Sequence, residues 1–323
     1  MSSPPPRPTI EPGPLNPAPA TPVSTAPMPR QAQRPASNTG RGPSLTDARS
    51  WGYQLQNLKV ERASTSPFDL LVIDTTREGD EHTALTPADL ARLQKKPDGS
   101  RRTVLAYLSI GEAESYRPYW NPAWKKAKPD WLLGENPEWE ENYSVCFWDP
   151  AWQSLMCGRA DAALDRVMAA GFDGVYLDKC DVYEDLRRHF KQVAKTRPHM
   201  EADMVQFVQR LSAYAKAKRP GFQVMMQNAE ELVEQPGLLG AIDGIAKEEL
   251  IFGQDSPEKK NSAEDIKDTT ENLMRAKRAG KAVFCVEYLA NPAKIAEAKA
   301  AIEPLGFVLY IAAKNRELDK LSV

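Results

Sequence analysis

The chain has 323 residues, enough for one large domain with a tail or for two of ordinary size. Its 42 basic and 44 acidic side chains leave a net charge of −2, so no field of one sign exists to recruit nucleic acid or an acidic membrane surface. No apolar run reaches about 18 residues, which excludes an integral membrane segment, and the opening MSSPPPRPTI lacks the apolar core of a signal peptide.

Thirteen of the 27 prolines precede Ser44, among Ala, Ser, Thr and Gly, a composition that buries too little surface to fold. Residues 1–46 are therefore expected to be a disordered tether and residues 47–323 the folded domain. A tether of this kind separates a domain from an anchor, a removed leader or a lost partner domain, and a plain tail reads the same way.

From Trp51 onward, short apolar runs alternate with amphipathic stretches in the order of repeated βα units. The runs are Trp51–Leu55, Leu70–Asp74, Val104–Leu108, Gly174–Asp178, Gln223–Gln227, Asp243–Lys247, Ala282–Glu287 and Phe307–Ile311. Helix starts are marked by a capping residue followed by proline at Thr86-Pro87, Asp149-Pro150 and Asn291-Pro292. After Asp149, the positions Trp152, Leu155, Met156, Ala160, Ala163, Leu164, Val167 and Met168 form a single stripe, predicting one helix that ends at Gly171. Met204, Phe207, Val208 and Leu211 predict the next, and Ile266, Leu273 and Met274 a later one. The extra run Val145–Trp148 reads as an insertion after the third strand. Eight strands with helices between them, and no GxGxxG turn after the first, predict a closed (β/α)8 barrel of the α/β class.

In such a barrel the last residue of each strand and its successor open into the active-site mouth. Here those positions are acidic: Asp74 after the second strand, Glu112 and Glu114 after the third, Asp178 and Asp181 at the fourth, Glu248 and Glu249 at the sixth, Glu287 at the seventh. A solvated helix start explains one or two such acids, and Glu114 with Arg117 could be a purely structural pair, but five strands are too many for that. A protonated carboxyl beside an ionised one suits hydrolysis of a glycosidic bond. The three histidines, His82, His189 and His199, form no HxH or HExxH, and no GxSxG occurs, so neither a metal nor a serine triad is expected, nor any cofactor. Cys146, Cys157, Cys180 and Cys285 read as free thiols, with a Cys146–Cys157 bridge left open. Trp51, Tyr53, Tyr107, Tyr116, Trp120, Trp148, Tyr176, Tyr183 and Tyr288 lie near the same strand ends, where aromatic faces can stack on sugar rings. An acidic mouth favours a neutral or cationic substrate, such as an amino sugar.

The stretches LAYLSIGEAESYRPYW, GFDGVYLDKCDVYE, MMQNAEEL, IDGIAKEEL and VEY together resemble glycoside hydrolase family 114 from about Trp51 to the end. That family is described as endo-alpha-1,4-polygalactosaminidases with a β/α-barrel domain, and the resemblance implies cleavage of galactosamine-containing exopolysaccharide outside the cell or in its envelope; a monomer is expected. Carried over by position, it implies Asp178 as nucleophile and Glu248 as acid/base, with Asp74, Glu114, Arg117, Asp181 and Asn228 contacting or supporting substrate. Tyr107, Glu112, Glu287 and Tyr288 complete the candidates from their strand-end places. KEEL stands where fungal members carry NE(Q/E)C, so Glu249 remains an alternative to Glu248. Members are typically exported, so a removed leader or a misplaced start is expected. A barrel that binds carbohydrate without cleaving it, and a hydrolase of another glycan or of a non-sugar substrate, are the competing readings.

Overall fold

The structure, a computed structural model, describes residues 43–322. Every one of the eight apolar runs forms a strand. In chain order the strands are β1 (Trp51–Gln54), β2 (Leu70–Ile73), β3 (Thr103–Ser109), β4 (Glu112–Glu114), β5 (Leu132–Glu135), β6 (Asn142–Val145), β7 (Gly174–Asp178), β8 (Gln223–Gln227), β9 (Gly244–Glu248), β10 (Ala282–Tyr288) and β11 (Val308–Ala312). Eight of them pair in parallel in the order β1-β2-β3-β7-β8-β9-β10-β11. At the seam, the Trp51 indole donates to Val308 O at 3.0 Å and packs against Tyr310 with ring centroids 5.8 Å apart, so the sheet is nearly closed into a barrel.

The helices between strands are α1 (Val60–Ser64), α2 (Pro87–Leu93), α3 (Pro150–Met156), α4 (Ala163–Ala170), α5 (Val182–His189), α6 (Lys191–Thr196), α7 (Met200–Lys218), α8 (Leu238–Ala241), α9 (Ala263–Arg278) and α10 (Pro292–Ile302). Thr86, Asp149 and Asn291 cap α2, α3 and α10 as their sequence requires, each side chain accepting from a backbone N–H of the first turn. Met204, Phe207, Val208 and Leu211 of α7 are all buried. Strands covered on both faces read as unbroken apolar runs, and Leu70, Leu71, Val72 and Ile73 are accordingly all inaccessible.

The single helix expected after Asp149 is two. Cys157 leaves α3 in extended conformation, and Gly158 takes φ +101°, with its N–H donating to Asp165 Oδ2 at 3.2 Å. Ala160, counted in the apolar stripe, is exposed in the gap. The left-handed Gly171 ends α4 as expected. The extra run Val145–Trp148 does belong to an insertion after β3: β4, β6 and β5 form a separate three-stranded antiparallel sheet. All four cysteines are free, which removes the Cys146–Cys157 alternative.

The expected tether lies outside the described residues as far as residue 42. Residues 43–46 belong to the barrel. Pro43 O accepts from Thr103 Oγ1 at 2.8 Å and from Gln223 Nε2 at 2.9 Å, and Leu45 N donates to Gln223 Oε1 at 2.7 Å. Thr103 and Gln223 begin β3 and β8, so Leu45, 1% exposed, plugs the barrel floor opposite the mouth. Leu45→Ala should therefore cost about 2–4 kcal/mol of stability in urea unfolding, as for a core leucine. A change within ~0.5 kcal/mol would mean that the folded body starts later.

Candidate active site

Strand periodicity puts Tyr176 and Asp178 of β7 on one face, inside the barrel. Tyr53 and Tyr176 pack there with centroids 5.2 Å apart, and Tyr53 floors a cleft of about 730 Å³ at the C-terminal ends of the strands. The loop after β3 crosses the end of β7: Ile110 N donates to Asp178 O at 3.0 Å, and Gly111 passes so close to Lys179 O that a Cβ would lie 2.2 Å from it. Only glycine fits there.

Lys179, Asn228 and Glu249 directly follow the ends of β7, β8 and β9, and all three adopt left-handed backbone, with φ of 57°, 55° and 56°. Non-glycine residues rarely do so, and each instance costs on the order of 1 kcal/mol. Three in neighbouring strands mark a place where the chain is bent sharply to aim strand-end side chains into the mouth.

Asp178 and Glu248 are held differently. Asp178 Oδ2 accepts from Tyr107 Oη at 2.5 Å. Glu248 accepts from Tyr288 Oη, from Gln227 Nε2 and, at 3.2 Å, from Asn228 Nδ2, while its own N–H donates to Asn228 Oδ1 at 3.1 Å. Burial, reinforced by the Glu248 charge, pushes Asp178 up to about 7. Asp178 therefore keeps its proton into the neutral range. Burial also lifts Asp181 to about 6 against the pull of Lys179 and Lys247, and among the described residues no other side chain bonds to its carboxylate.

The remaining candidates divide. Arg117 forks between Asp74 (Nη1 to Oδ1 2.9 Å, Nη2 to Oδ2 2.7 Å) and Glu114 (Nε to Oε2 2.6 Å), tying β2 to β4. All three line the cleft, as do Glu112, Tyr107, Asn228 and Tyr288. Glu112 is nonetheless engaged by Asn136 Nδ2 at 2.9 Å and Lys179 Nζ at 3.1 Å.

Glu287 does not line the cleft. Tyr288 points into the barrel, so its neighbour on the strand points out, where the fully buried Glu287 accepts from Ile251 N at 2.7 Å and Phe252 N at 3.2 Å and fastens the loop after β9. Glu249, the alternative to Glu248, also lines the cleft, with its carboxylate bonded by Arg316. Of the nine aromatic candidates, Tyr53, Tyr107, Tyr116 and Tyr288 line the cleft, while Trp51, Trp120, Trp148, Tyr176 and Tyr183 do not.

Sequence reading missed Gln227, Lys179, Arg316 and Trp139, all of which line the cleft. The positional rule that selected Asp178 would have selected Gln227, the last residue of β8, had amides been weighed beside acids. In all, twelve lining residues are acidic and three basic.

An eight-stranded parallel barrel with carboxylates lining the cleft at its mouth is an architecture that β/α-barrel glycosidases share. The chain belongs to glycoside-hydrolase family GH114, whose sequence profile matches residues 30–323. An uncharacterized protein of Deinococcus radiodurans is 36% identical over 309 residues, spanning 94% of this chain and 90% of its own. Another, of Methanocaldococcus jannaschii, is 34% identical over 283 residues, spanning 84% and 78%. Aspergillus fumigatus Ega3 in complex with galactosamine has the same fold, with a TM-score of 0.62 at 19% identity over 87% of this chain and 96% of its own. So does the glycoside hydrolase domain of PelA from Pseudomonas aeruginosa, with a TM-score of 0.60 at 20% identity over 85% and 98%. The family resemblance carried by the five stretches is borne out.

The Asp178 environment predicts a pH-dependent cost. An unfolded Asp ionises near its ordinary value of about 4. The folded chain holds the proton to about 7, so within that window it binds more protons than the unfolded chain and loses stability as pH rises. Asp178→Asn abolishes this loss. Its gain in melting temperature over wild type should be small near pH 4 and grow to a plateau by about pH 8; an equal gain at both would place the effect elsewhere.

Proposed function

We propose that this glycoside hydrolase cleaves, within the chain, alpha-1,4-linked galactosamine-containing polysaccharide outside the cell or in its envelope, with Asp178 and Glu248 as the catalytic pair. The observation that carries the reading is a pair of strand-end carboxylates in one cleft, one of which keeps its proton to about 7. The excess of twelve acids over three bases favours a cationic glycan, and all three bases are already paired with carboxylates. The fungal neighbour's complex with galactosamine supports the same class. Among the described residues no helix is long and apolar enough to cross a membrane.

In this mechanism Glu248 gives its proton to the glycosidic oxygen as the Asp178 carboxylate bonds to the anomeric carbon, and the severed chain leaves with a new hydroxyl. Water then loses a proton to Glu248 and displaces Asp178, restoring both groups. Without substrate, burial keeps a proton on Asp178. A bound ammonium group stabilises ionised Asp178, the form in which it attacks. Tyr107 orients one carboxylate, and Tyr288, Gln227 and Asn228 orient the other.

Reducing-end release from partly deacetylated galactosamine polymer tests this reading. Asp178→Asn and Glu248→Gln should each lose on the order of 10³-fold in kcat, and Glu249→Gln much less. On aryl glycosides with good leaving groups, which need no protonation, Glu248→Gln should recover much of its glycosylation rate and Asp178→Asn none. Recovery by Asp178→Asn instead would exchange the two roles. Binding without cleavage by wild type would move the function to recognition or to another glycan.

A further inference from the structure

Among the described residues two large apolar side chains are exposed, Tyr116 at 38% and Trp139 at 51%, and both line the catalytic cleft. Scattered exposed aromatics need no explanation, but two that converge on one groove do. Tyr116 is already engaged: its hydroxyl donates to Glu114 Oε1 at 2.7 Å, and the Arg117 guanidinium lies 5.0 Å over its ring.

Trp139 is free. Trp120, Trp124 and Trp131 of the insertion pack against one another or on Trp152, edge-on or tilted, with Trp120 and Trp124 at 5.3 Å, Trp124 and Trp131 at 5.0 Å, and Trp131 and Trp152 at 5.3 Å. Trp139 instead projects from the loop between β5 and β6. That loop is built to stay in place, since Glu141 N donates to Glu135 Oε1 at 2.7 Å, Asn136 N to Asn142 O at 2.7 Å, and Asn136 Nδ2 to the buried Glu112. The neighbouring Glu140 and Glu141 line the same stretch of cleft wall.

A bare indole on a braced loop, continuous with the mouth and flanked by carboxylates, matches the chemistry of an amino sugar: an apolar C–H face and an ammonium group on one ring. We propose that Trp139 is the platform of an outer subsite, on which a sugar of the glycan leaving the catalytic mouth stacks while Glu140 holds its ammonium group. Trp139 thereby sets the preference for long, deacetylated chains. This rests on the reading that a cationic glycan fills the cleft.

The test has two arms. In the first, kcat/KM is measured on galactosamine oligosaccharides of two to eight sugars for wild type, Trp139→Ala and Trp139→Phe. The alanine variant should lower the ratio of long-chain to short-chain kcat/KM by roughly 3- to 30-fold, through KM, with the phenylalanine variant restoring most of it. An unchanged ratio overturns the proposal. In the second, acrylamide quenching of tryptophan fluorescence is followed in full-length Asp178→Asn protein, with Trp139→Phe in the same background as reference. Octasaccharides of galactosamine, of glucosamine and of alpha-1,4-glucose are the probes. Protection by galactosamine, absent from the reference, supports the subsite. Protection by glucosamine alone, with no wild-type cleavage of galactosamine chains, overturns the proposed substrate and leaves the subsite standing. Protection by glucose chains alone removes the ammonium preference, and protection by none overturns the subsite itself.

Discussion

Like charges driven together are the condition that the rest of the molecule answers to. Parallel strands closing into a barrel bring every strand end to one mouth, and this sequence ends five of its eight strands on or near acids. Left alone, such carboxylates would repel one another and force up each other's proton affinity. The three cations of the cleft are each committed to a joint: Arg117 between β2 and β4, Lys179 between the end of β7 and Glu112, Arg316 against Glu249. Neutralisation and construction are thus one act. Asp178 and Glu248, two of the acids left without a cation, are bonded instead by neutral donors, which orient them without cancelling their charge.

Much of this was legible in the sequence because it is local. Strands buried on both faces are continuous apolar runs, and a cap followed by proline fixes a helix start wherever the rest of the chain goes. Asp178 could be read for the same reason, as a charge closing the apolar run Gly174–Leu177. The failures also have physical causes. Glu287 looked like a mouth residue because it ends a strand, but side chains alternate, and choosing Tyr288 as inward already excluded its neighbour. The break between α3 and α4 was hidden because the apolar positions on its two sides keep helical spacing. Arg316 could not be found at all: it meets Glu249 across 67 residues of chain, and no local pattern announces it.

The strain at the strand ends has a counterpart in the second layer. Left-handed backbone at Lys179, Asn228 and Glu249 persists only if the surroundings hold it, and each is held. Gly111 presses over Lys179, Asn228 exchanges hydrogen bonds with Glu248, and Glu287 grips the backbone beyond Glu249 from behind the barrel wall. Residues that never face a ligand therefore decide where the facing ones point.

The small sheet of β4, β5 and β6 shares no ladder with the barrel. It is joined to the barrel by the Arg117–Asp74 and Lys179–Glu112 ion pairs and by Trp131, Leu132 and Val145 in the common core, whereas the barrel's cooperativity runs through eight paired strands. Natural variation can lengthen, shorten or rewrite the β5–β6 loop without renegotiating the register of the catalytic strands. The fold thereby keeps the strand-end acids on the barrel frame and the exposed Trp139 on a loop outside every barrel ladder.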